Sequence, residues 1–251
     1  MMTTGLFLKL ALFAYTGSWV KDTRALTYDD TVIVKKTADF RVSGRGDNET
    51  WSKTSWQTFS RVDPGGRNYT SRSKILYSEK GVYLLFDGED DLVITKDYQD
   101  DDEIYEGDVF EFFLQTEKGK PYFEYEINHL GKQLILTLTG TPHKNLAWSP
   151  WRKEYIKEPL IQKEVFINVK DKKTTTVIKA GTKIISWSAE IFFPYELFSL
   201  MPGSIPKTGT VWHANFCRID YDSGKMVQWS WSQKIKRDFH ELENFGTIIF
   251  E

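Results

Sequence analysis

The stretch DVFEFFLQTEKGKPYFEYEIN, residues 108–128, decides the fold. Its two halves alternate with period two about a polar turn, Glu117-Lys118-Gly119-Lys120, and read as two antiparallel strands of a hairpin. In 108–115, Phe110, Phe112 and Leu114 fall on one face and Val109, Glu111 and Phe113 on the other. In 122–128, Phe123, Tyr125 and Ile127 take the apolar face, and Tyr122, Glu124, Glu126 and Asn128 share the opposite one. The first face belongs in a core. The second is expected to be a polar, solvent-facing sheet surface that carries three carboxylates beside Tyr122 and Asn128.

Outward from this hairpin the chain repeats the same texture. Strands are expected at 74–87 (broken at Glu79-Lys80-Gly81), 132–139, 164–170, 175–179, 184–193, 210–219, 226–232 and 246–250. Helical periodicity is nearly absent. About ten short strands with no long helix predict an all-β chain, an antiparallel β-sandwich of jelly-roll type. No linker rich in Gly, Ser or Pro and no fixed-period repeat divides the chain, so one domain is expected over 31–251. Residues 1–30 read as an N-terminal extension or a degenerate signal peptide. LFLKLALFA at 6–14 has the length of a signal-peptide core and is too short to span a bilayer. A secreted or periplasmic protein without a transmembrane segment is the expectation.

Charge and cysteine content narrow the functional classes. Lys plus Arg number 33 against 35 Asp plus Glu, a net charge of −2, and no stretch forms a basic stripe. Nucleic acid is therefore not an expected partner. The single cysteine, Cys217, excludes an internal disulfide and a multi-cysteine metal cage, and its strand position reads as a small buried side chain. No nucleophile elbow, phosphate-cradling loop, H-E-x-x-H pair or dinucleotide fingerprint is present. Chemistry then rests on carboxylates. Glu111 with Glu124 or Glu126 could form a glycoside-hydrolase pair, which is the runner-up to a non-catalytic binding surface. A second acidic group, Glu89-Asp90-Asp91 followed by Asp97, Asp100-Asp101-Asp102-Glu103 and Asp108, offers hard oxygen ligands of the kind calcium accepts; a solvated acidic loop is the alternative.

Six blocks, in order, give the chain a resemblance: GVYLLFDGEDD at 81–91, IYEGDVFEFFL at 104–114, YFEYEINHLG at 122–131, WSAEIFFPYELF at 187–198, VWHANFCRID at 211–220 and WSWSQKIKRDFHELENFGTIIF at 229–250. Together they resemble carbohydrate-binding module family 9 over roughly 32–251. The resemblance implies a jelly-roll sandwich with structural calcium, with Asp90, Asp91 and Asp108 as the metal candidates. It also implies a non-catalytic module that binds an oligo- or polysaccharide, often attached to a glycoside hydrolase partner and serving polysaccharide catabolism.

In that family two tryptophans clamp a sugar, and their positions fall here on Tyr105 and Phe239. The family's ligand-binding glutamate matches Glu111. Glu126 stands where the family has an arginine, and Lys236 where it has an asparagine. A sugar ring presents apolar C–H faces and hydroxyl edges, so aromatic platforms plus planar acceptors suit it. A loop anchor for Tyr105 and a core ring for Phe239 are the competing roles. Trp148 and Trp151, in the connection AWSPWRKEY at 147–155, are the other candidate platforms, while Trp187, Trp212, Trp229 and Trp231 read as structural.

Overall fold

The computed structural model describes residues 30–63, 67–139, 145–148, 161–170 and 177–251. Trp151 and nearly all of the proposed leader lie outside them, as do 175 and 176 of the expected strand at 175–179, whose described part, 177–179, is irregular.

Fourteen strands form among the described residues, and helix is confined to short 3-10 turns. They are β1 (Thr31–Lys36), β2 (Gln57–Thr58), β3 (Ser60–Arg61), β4 (Ser71–Tyr77), β5 (Gly81–Glu89), β6 (Val109–Gln115) and β7 (Tyr122–Asn128), then β8 (Gln133–Thr139), β9 (Asn145–Trp148), β10 (Gln162–Val169), β11 (Ile184–Pro194), β12 (Val211–Asp220), β13 (Val227–Ser230) and β14 (Gly246–Phe250). The hairpin expected at 108–128 is β6–β7. Its turn closes through Gly119 at φ +76°, a left-handed backbone that a side chain would strain.

The strand order β10-β11-β5-β4-β1-β14-β12-β6-β7-β8-β9 folds back on itself, so that β10, β11, β5 and β4 make one layer and β14, β12, β6, β7, β8 and β9 the other. Aromatic rings fill the space between. Phe86 of β5 stacks on Phe110 of β6 at 4.9 Å between ring centroids, and Phe110 lies 4.2 Å from Trp187 of β11. Trp187, Trp212 and Trp229 are almost wholly buried, as their strand positions required. Burying each such ring contributes about 1.5–3 kcal/mol, which makes this shared core the dominant cohesive term.

One expectation needs correction: the sheet is mixed, not wholly antiparallel. β1 runs parallel to β14, with Val32 beside Ile248, and parallel to β4, with Lys35 beside Leu76. Strands adjacent in sequence can close tight antiparallel hairpins, whereas β1 has no hairpin link to either neighbour. It enters the gap between two strands and joins the layers, a pairing that no local turn signal encodes.

Each layer also carries a cover on its outer face. Over β4, β5 and β11, Trp51 and Val42 pack with Leu76, Tyr83, Leu85 and Phe192. Buried Glu190 anchors this cover, accepting hydrogen bonds from Ser43 N at 2.6 Å and Trp51 Nε1 at 2.5 Å. The cover over β6 and β7 builds the site.

Candidate functional site

Glu111 of β6 pairs directly with Glu126 of β7, and Phe113 with Glu124. β8 places Leu134 beside Glu126 and Leu136 beside Glu124, while β12 places Cys217 beside Glu111. The three glutamates therefore share one sheet face, as their alternation requires. That face is not open to solvent, contrary to the sequence expectation: Glu111, Glu124 and Glu126 are 3%, 5% and 1% exposed.

The reason lies in the apolar residues interleaved with the acids. Phe113, Leu134, Leu138 and Ile219 draw down Ile104 from a 3-10 turn (Ile104–Glu106), together with Ile235, Phe239 and Phe245 from the segment 235–245, and form a second hydrophobic cluster. Alternation reports which face is polar. It is silent on which distant segments cover that face.

Between this floor and its cover lies a cavity of about 290 Å³. Tyr105 and Phe239 both line it, together with Glu111, Glu124, Glu126 and His240. Leu136, Leu138 and Ile219 supply apolar wall, and Asp238 and Gln228 add polar groups. The volume sits at the small end of ligand pockets, suited to a single compact ligand. The two aromatic residues differ in setting. Tyr105 is 38% exposed, and its carbonyl accepts a hydrogen bond from Tyr221 Oη at 3.1 Å. Phe239 is 4% exposed and packs edge-on to Phe113 at 6.2 Å.

Electrostatically the cavity is lopsided. Burial and then the neighbouring Glu124 and Asp238 charges raise Glu111, while burial followed by Glu111 and Glu124 raises Glu126. Glu124 is pushed up to about 8, chiefly by burial, with Asp238 adding to it. Like charges in a dry site cannot all ionise together, so these groups hold protons well above the usual carboxylate range. Donors are few. The Tyr105 backbone N–H donates to Glu126, and Tyr122 Oη and His240 Nδ1 share a hydrogen bond at 2.8 Å. The Glu124 and Glu126 carboxyls hydrogen-bond each other, which needs a shared proton, and His240 Nδ1 lies 4.0 Å from Glu124 Oε2; no N–H donor of the described residues comes within hydrogen-bond reach of Glu124 Oε2 or Glu126 Oε2. The site can accept hydrogen bonds that the protein does not itself supply.

The model of carbohydrate-binding family 9 matches residues 50–250. The chain belongs to carbohydrate-binding family 9. Solved structures agree on the fold. A candidate carbohydrate-binding protein from Bacteroides uniformis ATCC 8492 is 19% identical, with a TM-score of 0.66 over 88% of this chain and 99% of that one. A family 9 module from Caldicellulosiruptor kristjanssonii solved with glucose is 12% identical, with a TM-score of 0.54 and coverage of 88% and 95%; its complex with cellotriose gives 12%, 0.55, 88% and 93%. No curated protein matches the chain. At such identities the structures establish the fold and not the ligand.

In this family 9 chain a second acidic centre lies at the ends of β5, β6 and β12. Carboxylate oxygens of Asp90, Asp108, Asp220 and Asp222 lie within 4.8 Å of one another. Arg218 crosses from β12 to meet Asp90 at 3.0 Å and Asp220 at 2.6 Å, and His129 Nε2 lies 3.0 Å from Asp90 Oδ2. Burial, then Asp90 and Asp220, push Asp108 up to about 9. Asp222 Oδ1 is buried without a partner among the described residues. Four carboxylates around one guanidinium leave surplus negative charge and an unmet oxygen, a donor set that fits a hard divalent cation.

The remaining sequence candidates fall elsewhere. Asp91 turns away from the acidic centre and pairs with Arg67. Asp100 of the acidic loop pairs with Lys163 at 3.1 Å, and Asp102 accepts from Gln99 N at 2.7 Å, so that loop is tied into the surface and contributes nothing to the cluster. Lys236 does not line the cavity; its Nζ donates to Gln233 O at 2.8 Å. Trp148 ends β9, its backbone opposite Leu136. Sequence reasoning missed Asp220 and Asp222 in the acidic centre and Asp238 and His240 in the cavity. The alternation of Asp220 and Asp222 at the end of a strand was the one local signal for the first pair. Asp238 and His240 sit in a segment without regular structure, where no periodicity marks them.

Proposed function

We propose that this family 9 chain is a non-catalytic saccharide-binding module whose ligand occupies the cavity between Tyr105 and Phe239. The observation that carries the reading is the buried Glu124–Glu126 carboxyl pair, short of N–H donors and lining a cavity together with Tyr105 and Phe239. A polyhydroxylated ring supplies O–H donors to such acceptors and apolar C–H faces to the rings. The family 9 modules of Caldicellulosiruptor kristjanssonii, solved with glucose and cellotriose, have the same fold and support a sugar-sized ligand. In this reading Glu111 and Glu126 hold hydroxyls, Tyr105 provides the accessible platform, and Phe239 forms the rear of the pocket.

In this reading the three glutamates, which share one sheet face, hold the ligand and do not cleave it. The reading extends to a jelly-roll type sandwich, a single domain over 31–251, a secreted or periplasmic location and a role in polysaccharide catabolism beside a glycoside hydrolase. It also takes Asp90, Asp108, Asp220 and Asp222 as holding structural calcium, which would tie the ends of β5, β6 and β12 together without entering the sugar site. Titration calorimetry of the whole chain against a panel of soluble glycans, with calcium present, tests the binding claim. Heat from at least one saccharide, weakened by Tyr105→Ala, supports it; no heat from any saccharide overturns it.

A further inference from the structure

The cavity asks for more than hydroxyls. Glu111, Glu124 and Glu126 converge on its floor and Asp238 joins from the cover, while no lysine or arginine is among the described residues that line it. The remaining titratable neighbours are Tyr105 from the 3-10 turn, Tyr122 of β7, His240 from the cover and Cys217 of β12. A neutral sugar can satisfy individual acceptor oxygens and leaves the charge problem untouched, so the glutamates must stay protonated beneath it. A primary ammonium does both. It brings three N–H donors and a positive charge to the same small volume.

We propose that the cavity selects an amino sugar with a free amine, glucosamine or its unacetylated oligomers, whose ammonium sits over Glu124 and Glu126 and donates to both carboxylates in place of the proton they share. This rests on the saccharide-binding reading and deepens it. The independent pointer to a ligand is the burial of those two side chains, 5% and 1% exposed: both line the cavity, and Glu124 Oε2 and Glu126 Oε2 receive no N–H donor within hydrogen-bond reach among the described residues, the two carboxyls hydrogen-bonding each other and His240 Nδ1 standing 4.0 Å from Glu124 Oε2. Three kinds of discrimination follow from the chemistry. Acetylation removes the charge and adds bulk, a uronate adds a like charge, and a plain hexose lacks the cation. Binding also carries a proton signature. An ammonium beside protonated carboxyls favours their ionised form, so the cluster releases protons to buffer as the amine enters.

The test is calorimetry of the full chain at pH 7 with glucosamine, glucose, N-acetylglucosamine and glucuronate, the glucosamine titration being repeated in two buffers of different ionisation heat. Glucosamine should bind about tenfold more tightly than glucose, with weaker binding still for the acetylated and acidic sugars. Its heat should differ between buffers in the sense of proton release. Glu126→Gln and, separately, Glu111→Gln should reduce the preference for glucosamine over glucose to about threefold or less. Should either variant fold poorly, the ranking of the four sugars on the wild-type chain decides alone. Equal or tighter binding of glucose overturns the amino-sugar proposal and leaves saccharide binding standing. If none of the four sugars nor any glycan binds, both fall.

Discussion

Glu111 and Glu126 face each other across the β6–β7 ladder, buried side by side beneath a cover that joins the nearby Ile104 to Ile235, Phe239 and Phe245, more than a hundred positions along the chain from Glu111. Two acids so placed cost stability when both are charged. Their environment turns an ordinary sheet position into a site whose stability and ligand preference depend on protons.

Glu124 gives the clearest pH consequence. Its folded-state value of about 8 lies above the ordinary 4.5, so its protonated form favours the fold. That contribution is complete below about pH 4.5 and is lost as pH rises towards 8. In ligand-free protein the melting temperature should therefore fall between pH 5 and pH 8, and Glu124→Gln should flatten the slope. An unchanged slope in the variant, measured by calorimetric melting, refutes the assignment.

The two aromatic residues of the cavity should separate on mutation. Tyr105 is partly exposed, so Tyr105→Ala should change stability by less than about 1 kcal/mol while weakening saccharide binding about tenfold. Phe239 belongs to the second hydrophobic cluster, and Phe239→Ala should cost about 3–5 kcal/mol of folding stability. Denaturant melts of both variants, with calorimetry of the Tyr105 variant, check the contrast.

Arg218 holds the layers together where β12 meets the end of β5. It is fully buried, meets Asp90 and Asp220, and donates to Ser71 Oγ of β4 at 3.1 Å. Arg218→Met should destabilise by about 3–5 kcal/mol because two buried carboxylates lose their cation. Arg218→Lys should recover little, since a point charge cannot reach three acceptors with a planar fork. Recovery to near wild-type stability in the lysine variant would remove the bridging role.

Calcium is predicted to stabilise through the second acidic centre. Chelation of purified protein should lower the melting temperature, and adding calcium back to a hundred times its dissociation constant should restore about 2.7 kcal/mol. Asp108→Asn should abolish that response. A melting temperature indifferent to chelator in the wild type rules out structural calcium.

The hairpin at 108–128 was legible because strand periodicity is local: side chains two residues apart share a face whatever the rest of the chain does. The same rule gave most strand positions, the buried tryptophans and the shared face of Glu111, Glu124 and Glu126. It failed at β1, whose parallel neighbours have no hairpin link to it, and at the acidic loop, where charge density drew attention to Asp91 and to residues that the fold spends on surface pairs.

By itself the sequence determined an all-β chain, its principal hairpin, its ordered family blocks and an acid-rich face with Tyr105 and Phe239 as aromatic candidates. Only the tertiary structure decided that this face is buried, that both rings line one cavity with the acids, and that Asp220 and Asp222 complete the second acidic centre with Asp90 and Asp108. Pattern along a strand is set by backbone geometry between near neighbours. Burial, and with it the protonation of three glutamates, is set by segments that meet only when the chain has folded.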